Sequence, residues 1–200
     1  MIAPAWAGWA RSQRSKAGDE AAIDELLAYA HRYAVVAERA GIAFPAAFAP
    51  RILGEVAGNA TTDFGAPDAE LPSDRPRRTA AANADLERQV ALLRAAWELL
   101  DEVAAAAPGE LRKGPRGGGR DTSGVVAHVT EAERNYARQV GVRHKPYDAD
   151  DHVARDAMRD DLVAALLADE RDGAWVARRC LRRTAWHVLD HLWEIEDKST

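Results

Sequence analysis

Residues 184–199 read TAWHVLDHLWEIEDKS, and the spacing of apolar positions in and just before this stretch decides the fold. At about 100° per residue, Ala177, Leu181, Ala185, Val188, Leu192 and Ile195 fall on one stripe. That pattern predicts a helix from Ala174 to about Asp197 with one face turned into a core. Trp186, Leu189 and Trp193 make a second stripe, so the helix needs a second partner. His187 and His191 stand one turn apart on the margin of the first stripe, beside a polar wedge of Arg179, Arg183, Asp190, Glu194 and Asp197. Such a pair is either two metal ligands or two core histidines, and the spacing alone leaves both readings open.

Upstream, SGVVAHVTEAERNYARQV is a helix capped by Asp121 or Thr122 and closed by Gly141. Its core stripe is Val125, Val129, Ala132, Tyr136 and Val140, and His128 sits on the same kind of margin as the pair. Three histidines on two helices therefore occupy equivalent edges of their core faces. A long helix opens at Thr79 and stops at Pro108-Gly109, and another runs from about Asp150 to Glu170. Four helices with almost no strand signal pack most simply as a four-helix bundle. Residues 20–40 form one more helix, stopped by Gly41. The following stretch to about Arg78 is punctuated by Pro, Gly, Asn and Asp. The fold class expected is mainly α. Residues 1–77 form a small N-terminal α+β unit, with short strands in PAWAGWARS and RILGEVA, and residues 78–200 form the helical domain. The N-terminal unit, or a second subunit in a homodimer, is expected to cover the second stripe.

Composition excludes several classes. The net charge of −5 provides no basic field for nucleic acid. No uncharged run is long enough to span a bilayer and no secretory leader pattern opens the chain, so the expectation is a cytoplasmic protein without a membrane partner. A single cysteine, Cys180, rules out an internal disulfide. It stands two turns before His187, about 10 Å away, and reads as a buried structural thiol. The loop RKGPRGGGR is glycine-rich and basic, but lacks the GK[ST] ending and a preceding strand, so it is not a phosphate-binding loop. Arg178, Arg179, Arg182 and Arg183 are expected to pair with the acidic residues Asp150, Asp151, Asp156, Asp160 and Asp161, or to hold carboxylates of a thiol cofactor.

The segments GRDTSGVVAHVTEAERNYARQVG (119–141) and RRTAWHVLDHLWEIEDK (182–198) resemble the ligand-bearing segments of the DinB-like (YfiT-like) metal-binding four-helix superfamily. The resemblance covers about residues 78 to 198. It implies that His128, from the second bundle helix, joins His187 and His191, from the fourth, to bind a divalent metal. His128 lies about 10 Å into its helix, whereas His187 and His191 lie roughly 20–26 Å into theirs. For the three to share one ion, the two helices must run antiparallel, which requires a crossover from the second to the third bundle helix. The connector GVRHKPYDAD spans roughly 30 Å when extended, enough for that crossing.

Three imidazoles leave a coordination position open, a catalytic pattern rather than a structural one. Nitrogen ligands suit zinc, the default, as well as nickel or iron. Asp190 and Glu194 are the candidates to orient the rings as second-sphere acceptors. An open metal position lowers the pKa of bound water or thiol. The resemblance implies a thiol S-transferase that uses mycothiol or bacillithiol against an electrophilic small molecule. The alternative is a non-catalytic stress-response or interaction protein that keeps the metal for structural reasons.

Overall fold

A computed structural model describes residues 19–47, 49–50, 74–75, 79–114, 119–168 and 175–199. Among these residues six helices follow one another: α1 (Asp19–Ala28), α2 (Ala30–Arg39), α3 (Ala80–Ala106), α4 (Thr122–Arg138), α5 (His152–Ala168) and α6 (Ala177–Lys198). No strand occurs among the described residues, and the stretches 4–12 and 51–57, expected as strands, lie outside them.

Local chemistry sets the helix ends. The Thr79 hydroxyl accepts from the Ala82 N–H at 3.2 Å, and the Asp121 carboxylate accepts from the Gly124 N–H at 2.6 Å. Each satisfies a backbone donor that the first turn leaves orphaned. At the other ends, Gly41 (φ 68°) and Gly141 (φ 88°) take the left-handed conformation that glycine adopts without a Cβ clash. Behind them, the Ile42 N–H donates to the Ala37 carbonyl at 2.8 Å and the Val142 N–H to the Ala137 carbonyl at 3.0 Å. This is the six-to-one closure of a Schellman end.

The helix expected over 20–40 is broken in two. At Tyr29 the N–H bonds the Leu26 carbonyl at 3.2 Å, a tighter three-residue closure. The Tyr29 ring meanwhile packs 5.0 Å from the Trp193 ring. Helical periodicity continues across this break, so the sequence pattern alone does not reveal it.

α3 and α6 form the largest contact in the bundle, and α4 and α5 pack around them. Leu93, Leu100, Leu162, Leu166, Leu181 and Ile195 are among the fully buried side chains. Sixteen of the twenty-two residues of α6 are buried, so α6 is enclosed on nearly every side and is the central element. Both of its apolar stripes are covered. Trp193 is 1% exposed, beneath Tyr29 and the Arg32 guanidinium, which lies 5.5 Å from its ring. Arg32 also pairs with Asp197 at 2.9 Å and with Glu196, fastening α2 to the last turns of α6. No helix of the described residues is long and apolar enough to cross a membrane.

The arginines of α6 take partners other than those expected. Arg178 pairs with Asp85 at 3.1 Å and donates to the Ala82 carbonyl at 2.7 Å. Arg182 pairs with Asp74 at 2.5 Å. Arg179 lies over the Trp175 ring at 4.8 Å. Among the described residues the acidic partners come from α3 and from Asp74, while α5 turns Asp160 to Arg94 and Asp161 to His144.

Candidate metal centre

α4 and α6 run antiparallel where they meet. Near the start of α6 the Cys180 thiol donates to the Tyr136 carbonyl at 3.4 Å. The Trp175 N–H, just before α6, donates to the Gln139 carbonyl at 3.0 Å. Two turns back along α4 and further on along α6, His128 meets the pair. Its ring centre lies 5.0 Å from His187 and 4.9 Å from His191, and the pair are 4.5 Å apart. One ligand atom from each of the three rings lies within 4.8 Å of the other two.

The residues fit a divalent cation. Metal–nitrogen bonds of about 2.0–2.1 Å in tetrahedral geometry put ligand nitrogens about 3.3 Å apart. The three rings therefore need to close by at most about 1.5 Å, within the reach of small side-chain rotations. His191 Nδ1 is taken by Glu194 Oε2 at 2.6 Å, which leaves Nε2 for a metal. His187 Nδ1 is buried without a hydrogen-bond partner, an arrangement that calls for an explanation in a packed interior. No fourth His, Cys, Asp or Glu joins the cluster among the described residues.

At His187 and His128 the surroundings favour the neutral imidazole, the form that binds metal. Burial pushes the His187 pKa well below its ordinary value, and the neighbouring His191, His128, Arg183 and Arg120 push it further. His128 is lowered by burial and then by His191 and Arg120, with Glu194 opposing. The Glu194 carboxyl is pulled down to about 2 by its hydrogen bond with His191, against the opposing effect of burial and with help from Lys198. Glu194 thus stands as a carboxylate that orients one ring. Asp190, its companion in the sequence reading, is buried on α6, but makes no hydrogen bond to the three histidines among the described residues.

The depressed His187 pKa has a consequence for stability. The unfolded chain takes up a proton as pH falls through about 6.5, the ordinary histidine value, while the folded chain still resists it. Stability is therefore complete above that pH, and falls as pH drops from there towards the lowered folded value. Urea denaturation of metal-free protein is expected to show a lower midpoint at about pH 5.5 than at about pH 7.5. The loss should be smaller in His187→Gln. Equal midpoints for wild type at the two pH values would contradict a buried neutral His187.

Cys180 is fully buried and its thiol is pushed up to about 12 by burial, as a structural cysteine should be. The Glu133 cluster in α4, by contrast, was not singled out from the sequence. Glu133 is fully buried and bonds Arg159 and the Trp97 indole N–H. The signal was present, since Glu133 follows Val129 and Val125 at four-residue steps on the core stripe. A groove lined by Val35, Leu99, Val103 and Trp193 lies at the α2–α3–α6 junction and shares no residue with the three histidines. Comparison of the chain with protein-family models, with curated proteins and with solved structures gives no match.

Proposed function

We propose that the chain is a DinB-like metalloprotein in which His128, His187 and His191 hold a divalent cation, zinc by preference, and that it is a thiol-dependent S-transferase acting on an electrophilic small molecule. The observation that carries the reading is the convergence of three imidazole rings from two antiparallel helices, with ligand atoms within 4.8 Å of one another. In this reading the bundle has the DinB-like order, with a crossover between α4 and α5. Ion pairs between Asp101 and Arg155 and between Arg94 and Asp160 support it, because they run α5 against α3. So does the Thr122 hydroxyl, which donates to the Pro108 carbonyl at 2.5 Å and turns α4 back along α3.

A cation held by His128, His187 and His191 would supply Lewis acidity and a coordination position left open for a thiol. The protein's own part is preorganisation. Glu194 fixes the His191 ring through Nδ1, burial keeps His187 unprotonated, and the Tyr136 ring flanks His187 edge-on at 5.7 Å.

The test is metal content by plasma mass spectrometry on tag-free protein. Wild type should carry about one equivalent of a transition metal, and His191→Ala should carry close to none. Metal-free wild type that takes up neither zinc nor nickel would sink the proposal. Loaded protein is then assayed for transfer of low-molecular-weight thiols to model electrophiles. Glu194→Gln gives a graded check. Losing the carboxylate that orients His191 should weaken zinc binding about 10–100-fold, read by competition with a chromophoric chelator. Unchanged affinity would remove Glu194 from the site.

A further inference from the structure

Arg183 stands one turn before His187 on α6, on the same side of the helix. Its guanidinium is held between two aromatic rings, 4.8 Å from Trp186 and 5.6 Å from Tyr136, and both of those rings contact His187. Nε and Nη1 of Arg183 are sealed from solvent without a hydrogen-bond partner, and no carboxylate pairs with it among the described residues. The neighbouring arginines differ in this respect, since Arg178 and Arg182 are each met by an aspartate. The side chain as a whole is half-buried and hydrogen-bonds the Tyr136 side chain, but two sealed N–H groups without a partner are costly unless a ligand completes them. Arg120 adds a second positive charge near the same histidines.

We infer that Arg183 receives a carboxylate of the molecule bound at the three-histidine centre, so that the site selects acidic thiols over neutral ones. This rests on the metal–thiol reading above and adds the charge of the ligand to it. The planar fork of arginine takes a carboxylate through two parallel N–H···O bonds. The two rings that hold the guanidinium are the ones that contact His187.

The experiment uses full-length protein loaded with cobalt(II), whose absorption spectrum changes when a thiol binds. Two probes of similar length are titrated, 3-mercaptopropionate and 2-mercaptoethanol, with affinities corrected for thiol pKa. Wild type should bind the acidic probe about tenfold more tightly. Arg183→Gln should abolish that preference, read as the ratio of the two affinities in the same variant. Arg183→Lys, which keeps the charge and loses the fork, should fall between. In wild type alone the preference should shrink as ionic strength rises from about 0.05 to about 1 M, so the result does not depend on a variant folding. Equal binding of the two probes by wild type overturns the inference and leaves the metal–thiol reading standing. A preference that survives in Arg183→Gln overturns the assignment to Arg183. If neither probe changes the spectrum, the thiol reading and this inference fall together.

Discussion

Glu133→Ala is expected to destabilise the protein by about 3–5 kcal/mol, among the largest losses from a single substitution. Glu133 is fully buried, and its carboxylate accepts from Arg159 Nε at 3.1 Å and from the Trp97 indole N–H. Arg159 in turn lies over the Trp97 ring at 4.7 Å and is itself 6% exposed. Truncation leaves this guanidinium inside the bundle with Asp101 at 3.7 Å as its remaining acidic neighbour, and Asp101 is already engaged by Arg155 through two bonds of 3.1 and 2.9 Å. The Trp97 donor is orphaned in the same step. Removing one partner of a buried pair costs more than the pair contributes, because the survivor keeps its desolvation penalty. The double replacement Glu133→Leu with Arg159→Leu should therefore recover most of the loss. Urea denaturation decides the matter: a single-variant loss below about 1 kcal/mol would mean that solvent reaches Arg159.

The second large effect is expected at Trp193. Trp193→Ala removes one of the largest fully buried side chains, and the transfer and cavity terms together amount to about 3–5 kcal/mol. The loss should also have a direction in space. Tyr29 and Arg32 lie against this ring, so α1 and α2 lose their principal apolar anchor on α6 while the α4–α6 contact stays intact. Limited proteolysis should then cut within 19–50 well before the bundle, and a variant that retains metal while its N-terminal helices are clipped would fit. Unchanged protection of α2 would show that its packing on α3 suffices alone.

Much of this was legible in the sequence because it depends on local chemistry. Thr79 and Asp121 could be read as caps, Gly41 and Gly141 as stops, and the apolar stripes of α4 and α6 as core faces. The equivalent margins of His128, His187 and His191 left metal ligands and core histidines both open, and it was the DinB-like resemblance that implied their convergence. What escaped depends on neighbours distant in the chain. The break at Tyr29 is tied to a ring on α6, more than a hundred residues away. Arg178 and Arg182 find aspartates outside α5, since proximity along the sequence says little about which helix faces which. Glu133 interrupts an apolar stripe, and only Arg159 and Trp97, on two other helices, make its burial affordable.

The antiparallel meeting of α4 and α6 has a consequence beyond ligand geometry. His128 and the pair on α6 are about sixty residues apart in the chain. An ion held by all three would close a loop of that length, with a loop-closure entropy that grows only slowly with loop size. In a chain whose one cysteine cannot form an internal disulfide, this would be a removable cross-link joining the last helix to the middle of the fold. Loading and stripping the metal would then act as a tether on unfolding, slowing the separation of the two helices, and the unfolding rate would register occupancy as directly as any spectrum.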